Sequence, residues 1–245
     1  MIDAFLWGLL ATSSLIIGGA IAIRFTLSNR AIGIIMGFGA GALISAISYE
    51  LIFEAVKMGR GTGFPAYGLF AGAACFYFSD KLIGNFGAKN RMKVGEPKSS
   101  SLVIPMVLAI ILDGIPESIV IGLGIFEGVK ISLAMLVAVF ISNLPEAIAG
   151  SNGMKEGGWS RAKIQLLWVF IALICALSSV AGYAFFSGAS IEWISFIQAF
   201  AGGAILMMLA NSMIPEAYEH GGKLAGVFTV LGFSVSETII PGFVL

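Results

Sequence analysis

Charge is scarce in this chain: 11% of its 245 residues are Asp, Glu, Lys or Arg, against 58% that are hydrophobic. A soluble domain carries about 25% charged residues, so a water-facing surface around the whole chain is excluded. The apolar excess must face lipid. Helices are the default solution there, because hydrocarbon leaves backbone polar groups no partners but one another. The net charge is zero, which removes the basic footprint of a nucleic-acid binder. There is one histidine, His220, in a predicted loop. An imidazole-rich metal site is therefore excluded, and so is a His-Glu-x-x-His metalloprotease helix. No Gly-x-Gly-Asp or Gly-x-Ser-Gly run lies in a predicted span, so the chain is not expected to be an enzyme. The two cysteines, Cys75 and Cys175, sit in apolar stretches without ligand spacing or a disulfide framework. They read as small packing residues. The N-terminal run MIDAFLWGLL has Asp3 where a cleavable signal peptide has basic residues, so it reads as a retained span.

What the chain does have is long apolar runs. A spanning helix needs about 20 mostly apolar residues. Eight runs fit: 3–23, 31–54, 64–83, 101–124, 130–150, 163–187, 191–214 and 223–244. The expected fold is all-α, a polytopic bundle of eight transmembrane helices forming one transporter domain over 1–245. Its longest connection is a basic loop at about 84–100, GNFGAKNRMKVGEPKSS. Loops after odd-numbered spans hold Arg24, Arg30, Lys81, Lys89, Arg91, Lys93, Lys98, Lys155, Arg161, Lys163 and Lys223; those after even-numbered spans hold Lys57, Arg60 and Lys130. Eleven positive charges against three place the first set in the cytoplasm and both termini outside it.

Three spans share one local pattern. The fourth reads Asp113-Gly114-Ile115-Pro116-Glu117-Ser118, the fifth Ser142-Asn143-Leu144-Pro145-Glu146-Ala147, and the seventh Asn211-Ser212-Met213-Ile214-Pro215-Glu216-Ala217. Proline has no N–H and its ring clashes with the carbonyl four residues back. The carbonyls of Leu112, Ile141 and Asn211 are thus expected to lose their helical partner, each one turn before a glutamate. Asp113 and Glu117, Ser142 and Glu146, and Ser212 and Glu216 are each four apart and share a helix face, as do Glu50 and Glu54 in the second span. Each pair can present two oxygens to one point.

A charged side chain at a helix centre costs about 2.5–3.5 kcal/mol, so Asp113, Glu117 and Glu146 left ionised and alone would cost roughly 7–10 kcal/mol. No lysine or arginine lies deep in a predicted span to offset this. The acids must be protonated, hydrated or cation-bound, and all three states suit an ion or proton pathway. Oxygen ligands favour hard or borderline divalent cations. Glu50, Glu54, Glu216 and Glu219 approach span ends, where a solvated helix terminus is the competing reading.

With these motifs on the page, the chain resembles the ZIP family of divalent metal transporters over essentially its whole length. In that family the fourth and fifth spans carry His-Asn-x-Pro-Glu-Gly-like and Gln/His-Glu/Asp-x-Pro-Glu/His-like motifs around a two-metal centre. DGIPES stands where the first belongs and SNLPEA where the second belongs; ISYELIFEA and MIPEAYE also resemble family segments. Asp113 then replaces the family histidine, Gly114 the asparagine, Ser142 the glutamine or histidine and Asn143 the acid. Glu117 and Glu146 match the shared glutamates, and Ser179 stands near a sixth-span glutamate of many bacterial members. The resemblance implies one divalent ion held by Asp113, Glu117, Asn143 and Glu146, with Ser142 beside it. Glu50, Glu54, Asn211 and Glu216 would hand the ion along. It further implies antiparallel packing of the fourth and fifth spans, alternating access, uptake into the cytoplasm, a homodimer and a place in the cell (plasma or inner) membrane. Zinc carries the family expectation, whereas an all-oxygen shell leans to manganese, iron or magnesium. The ion is cargo, and no cofactor is expected. Carboxylates must lose protons to bind it, so binding should weaken as pH falls.

Two other readings remain open at this stage. The same acids can relay protons to drive a small organic solute, although no intramembrane cation is available to hold an anionic one. The chain can also be a family member that binds an ion without moving it, since histidine is missing and Ser179 replaces an acid. The glycine-rich run GFGAGA (37–42) and Gly68/Gly72 permit close helix contacts, within the chain or in a dimer.

Overall fold

The computed structural model describes residues 1–85, 103–126, 133–185 and 189–239. Most of the basic loop, including Lys89, Arg91, Lys93 and Lys98, lies outside the described residues, as do Lys130 and the span margins 101–102, 130–132, 186–187 and 240–244. Every element among the described residues is helical. Eight helical segments follow in order: α1 (Ile2–Arg24), α2 (Asn29–Met58), α3 (Phe64–Asn85), α4 (Val103–Phe126), α5 (Leu133–Glu156), α6 (Arg161–Phe185), α7 (Ile191–Gly221) and α8 (Lys223–Ile239).

Local chemistry sets several of the ends. The Ser28 hydroxyl caps α2 by accepting from the Ala31 N–H at 3.2 Å, satisfying one of the donors a helix start leaves open. Gly222, at φ +59°, ends α7 in a backbone region that L side chains rarely adopt, and α8 begins at the next residue. Three predicted ends moved by four residues or more: the second span was expected to stop at 54, the fifth at 150 and the seventh at 214, yet α2 continues to Met58, α5 to Glu156 and α7 to Gly221. Loss of apolar character marks where a helix can leave hydrocarbon, but Glu, Lys and Met continue a helix well. His220, expected in a loop, therefore occupies the last turn of α7.

Four helices are long and apolar enough to cross a membrane: Ile2–Arg24, Asn29–Met58, Arg161–Ala184 and Ile191–Gly221. Their polarity runs inside out. On α6, Leu166, Phe170, Leu173 and Leu177 form one exposed apolar stripe at helical spacing, while Thr12, Ser14, Ser45, Asp113, Glu117 and Ser179 are buried. An apolar exterior around a polar interior is the arrangement of a helical membrane protein.

The bundle is knitted by glycines that let backbones touch. A Cβ on Gly37 or Gly41 of α2 would strike the Ala225 or Thr229 carbonyl of α8, and one on Gly232 would strike the Phe38 carbonyl. The same junction joins α3 to α7, with Gly68 against Phe196, Gly72 against Phe200 and Gly203 against Leu69. A third copy joins α4 to α6, with Gly122 against Ser179 and Gly182 against Ile119. The residue numbers rise together from Gly37–Ala225 to Gly41–Thr229, from Gly68–Phe196 to Gly72–Phe200 and from Gly114–Cys175 to Gly122–Ser179, so all three pairs run parallel. Both glycine runs singled out in the sequence are thus spent on packing within the chain.

Helices α2 and α7 run antiparallel. Gly33 meets Gly221 at one end, Gly202 meets Ile47 and Ile52 further along, and the Ser195 hydroxyl donates to the Ala55 carbonyl at 2.8 Å near the other end. Helix α1 runs antiparallel to α6, from Gly8 against Ser179 to Gly19 against Trp168. It runs with α5, from Gly18 against the Leu144 carbonyl to Ala22, whose carbonyl accepts from Lys155 Nζ at 2.8 Å. Through α1 and α6, then, α4 and α5 have opposite directions, as expected. Their backbones approach each other over only a short stretch, however. Each is instead packed chiefly on a third helix, α4 on α6 and α5 on α1.

Candidate metal centre

The acids predicted to form the centre lie inside the bundle. Relative exposure is 4% for Asp113, 2% for Glu117, 4% for Asn143 and 6% for Glu146, so none faces lipid. Asp113 and Glu117 come from successive turns of α4, and both Glu146 of α5 and Asp113 are close enough to act electrostatically on Glu117. Among the described residues no lysine or arginine is buried, so no basic side chain is sealed in with this cluster. Glu117 Oε2 and Asn143 Nδ2 are both buried without a hydrogen-bond partner. A buried carboxylate oxygen without a partner is costly, and either a proton or a cation would relieve it.

The prolines act differently from the expected pattern of three broken turns. Helices α4 and α5 continue through Pro116 and Pro145. Neither proline can donate to the carbonyl four residues back, so each leaves a weakened rung beside its glutamate. In α7 the chain widens into a π turn, Leu209–Met213, immediately before Pro215. There the Ile214 N–H reaches back five residues to the Leu209 carbonyl, the wider hydrogen bond of a π turn. A second π turn, Ile47–Ile52 in α2, contains Glu50. No proline marks that one, and nothing in its sequence signals it.

Ser142, also buried, donates to the Val139 carbonyl at 3.0 Å, so its hydroxyl hydrogen is already used. Gly39 of α2 lies where the backbone of Ser142 and the tip of Met213 converge, which brings the π turn of α7 to the level of the α5 motif. Glu50 is half-buried within its π turn. Glu54 is paired instead with Lys57 at 3.2 Å on an exposed turn. Asn211 is exposed. Glu216 is 7% exposed and lies 3.0 Å from His220 Nε2, while Glu219 and His220 each place a ligand atom within 4.8 Å of the others in the group.

The antiparallel register sends these outer groups to opposite ends. Gly33 marks the Glu216–His220 end of α2, and Glu50 lies 17 residues further along, about 25 Å at 1.5 Å per residue. That approaches the hydrocarbon thickness of a bilayer. The sequence reading missed His220 as a potential ligand because it placed the residue in a loop; the four-residue spacing of Glu216 and His220 was the available signal. No protein-family model matches the chain, and no curated protein is significantly similar to it.

Proposed function

We propose that the chain is a divalent metal transporter of the ZIP kind. In this reading all eight helices span the membrane of the cell, both termini lie on its outer side, and the chains associate as homodimers. One ion is held between α4 and α5 by Asp113, Glu117, Asn143 and Glu146, with Ser142 lining the site. The observation that carries the reading is Glu117: a carboxylate sealed in the bundle, with an unsatisfied oxygen and two further acids within electrostatic reach. An assembly that repels itself when empty is stabilised by a cation and is ready to release it.

The outer acids extend the path. Glu50 at one end of the α2–α7 pair and Glu216 with His220 at the other would receive the ion at opposite mouths. Glu54, already neutralised by Lys57, contributes less. Rocking of one helix group against the other would open the centre to each side in turn and carry zinc, iron or manganese toward the cytoplasm.

The test is metal flux into proteoliposomes with wild-type protein and the variants Glu117→Ala and Glu146→Ala. Flux should fall to background in both variants while each still inserts and folds. Wild-type flux in both would refute the reading.

A further inference from the structure

We infer that Glu216, Glu219 and His220 form a second metal site, separate from the centre between α4 and α5, which takes a zinc-class ion on one nitrogen and two carboxylate donors. The transport reading has Glu216 and His220 only receive a passing ion. The inference goes beyond that reading and does not depend on the chain moving metal.

The chain carries its own control for this turn. Helices α2 and α7 are built alike, with several features of α2 recurring 162 residues later. The π turns begin at Ile47 and Leu209. Gly41 and Gly203 each face a carbonyl of a neighbouring helix, and the Phe38 and Phe200 carbonyls each meet a glycine, Gly232 or Gly72. Glu54-Ala55 and Glu216-Ala217 follow the π turns, and Gly59 and Gly221 stand at the helix ends. The last turns differ. In α2 the places after Glu54 hold Lys57, which pairs with it at 3.2 Å, and Met58. In α7 the same two places hold Glu219 and the one histidine of the chain, His220. Exposure matches place for place: Lys57 and Glu219 are exposed, Met58 and His220 half-buried. The turn therefore folds and packs without a second acid or an imidazole, and packing does not account for them.

Geometry completes the argument. Residues three and four apart share one helix face, and the ligand atoms of all three groups lie within 4.8 Å of one another. His220 Nε2 is 3.0 Å from Glu216 Oε1. Two ligands at right angles on an ion about 2.1 Å from each are separated by the same distance, so an ion can take the place of the shared hydrogen without moving either group. Both groups are held in advance. Glu216 is 7% exposed, and a Cβ on Gly33 would lie 2.9 Å from the His220 β-carbon, so α2 closes on the root of that side chain. Glu219 is exposed and reaches the ion by side-chain rotation. Imidazole with carboxylates suits zinc, copper and nickel, whereas magnesium and manganese prefer an all-oxygen shell. In the transport reading this end of α7 faces the cytoplasm, so the site would hold the ion that the centre gives up.

The experiment uses the whole chain, free of any tag, in detergent, with bound zinc counted per chain at equilibrium. Wild type should hold two ions, and His220→Ala and Glu117→Ala/Glu146→Ala one each. The ion left in Glu117→Ala/Glu146→Ala should bind at least about tenfold more tightly as zinc than as manganese. A second measurement needs no variant to fold: wild-type protein saturated with copper(II) should show, by pulsed electron paramagnetic resonance, modulation from the remote nitrogen of a coordinated imidazole. With one histidine in the chain, that signal assigns His220. Metal binding without the imidazole signal would overturn the α7 site and leave the carboxylate centre standing. One zinc ion that survives Glu117→Ala/Glu146→Ala, with the signal intact and no flux in wild-type proteoliposomes, would support the α7 site and remove the transport reading. Absence of zinc and copper binding in wild type would overturn both.

Discussion

Replacing Glu117 by glutamine should move stability and metal binding in opposite directions. The side chain is 2% exposed and lies within reach of two like charges. In the empty protein it either carries a repelled charge or has been forced to keep its proton. A charge at a helix centre costs about 2.5–3.5 kcal/mol, whereas a poorly satisfied amide costs about 1–3 kcal/mol, so Glu117→Gln should gain on the order of 1 kcal/mol. For a chain of this length that raises the melting temperature by about 2–4 °C. Wild-type protein with metal at a hundred times Kd should gain about 2.7 kcal/mol, or about 5–11 °C. Loss of outer partners of a bound metal already weakens binding 10–100-fold. Loss of a ligating carboxylate is therefore set at about a hundredfold, which cuts the variant's gain at the same metal concentration to about 0.4 kcal/mol. Thermal unfolding in detergent, with and without metal, should show the order reversing: the variant melts higher when empty, wild type higher when loaded. A variant that melts below empty wild type while keeping the full metal shift would refute the reasoning.

Three further outcomes follow from the packing and the chemistry. Gly122→Leu should lower stability by about 1–3 kcal/mol, since its side chain must displace the Ser179 backbone; Gly124→Ala, whose Cβ meets nothing within 4 Å, should leave the melting temperature unchanged or slightly higher. Trp168→Phe should cost about 1 kcal/mol by removing the 2.7 Å hydrogen bond from its ring N–H to the Ser151 hydroxyl, and Trp168→Ala about 3–5 kcal/mol because the ring is fully buried; chemical or thermal unfolding ranks the two. Metal affinity should fall as pH falls, approaching about tenfold per unit for each proton displaced, and calorimetry in two buffers of different ionisation enthalpy should count those protons.

The membrane class, the all-helical fold and the approximate place of every described helix were legible in the sequence. They depend on local quantities: run length, charge density, and the rule that backbone in lipid must satisfy itself. The acids at 113, 117 and 146 stood out for the same reason, because each is costly in an apolar run wherever its neighbours lie. Which acids meet was another matter. Periodicity puts Asp113 and Glu117 on one face, but it cannot show that Glu54 turns aside to Lys57 or that His220 joins Glu216 in a helix. The π turn around Glu50 has no sequence mark because its cost is met by packing against α7 and not by local propensity. Insertion energy is a property of single segments and can be read one run at a time; the register between helices is fixed by glycines meeting distant carbonyls, and that pairing exists only once the bundle has closed.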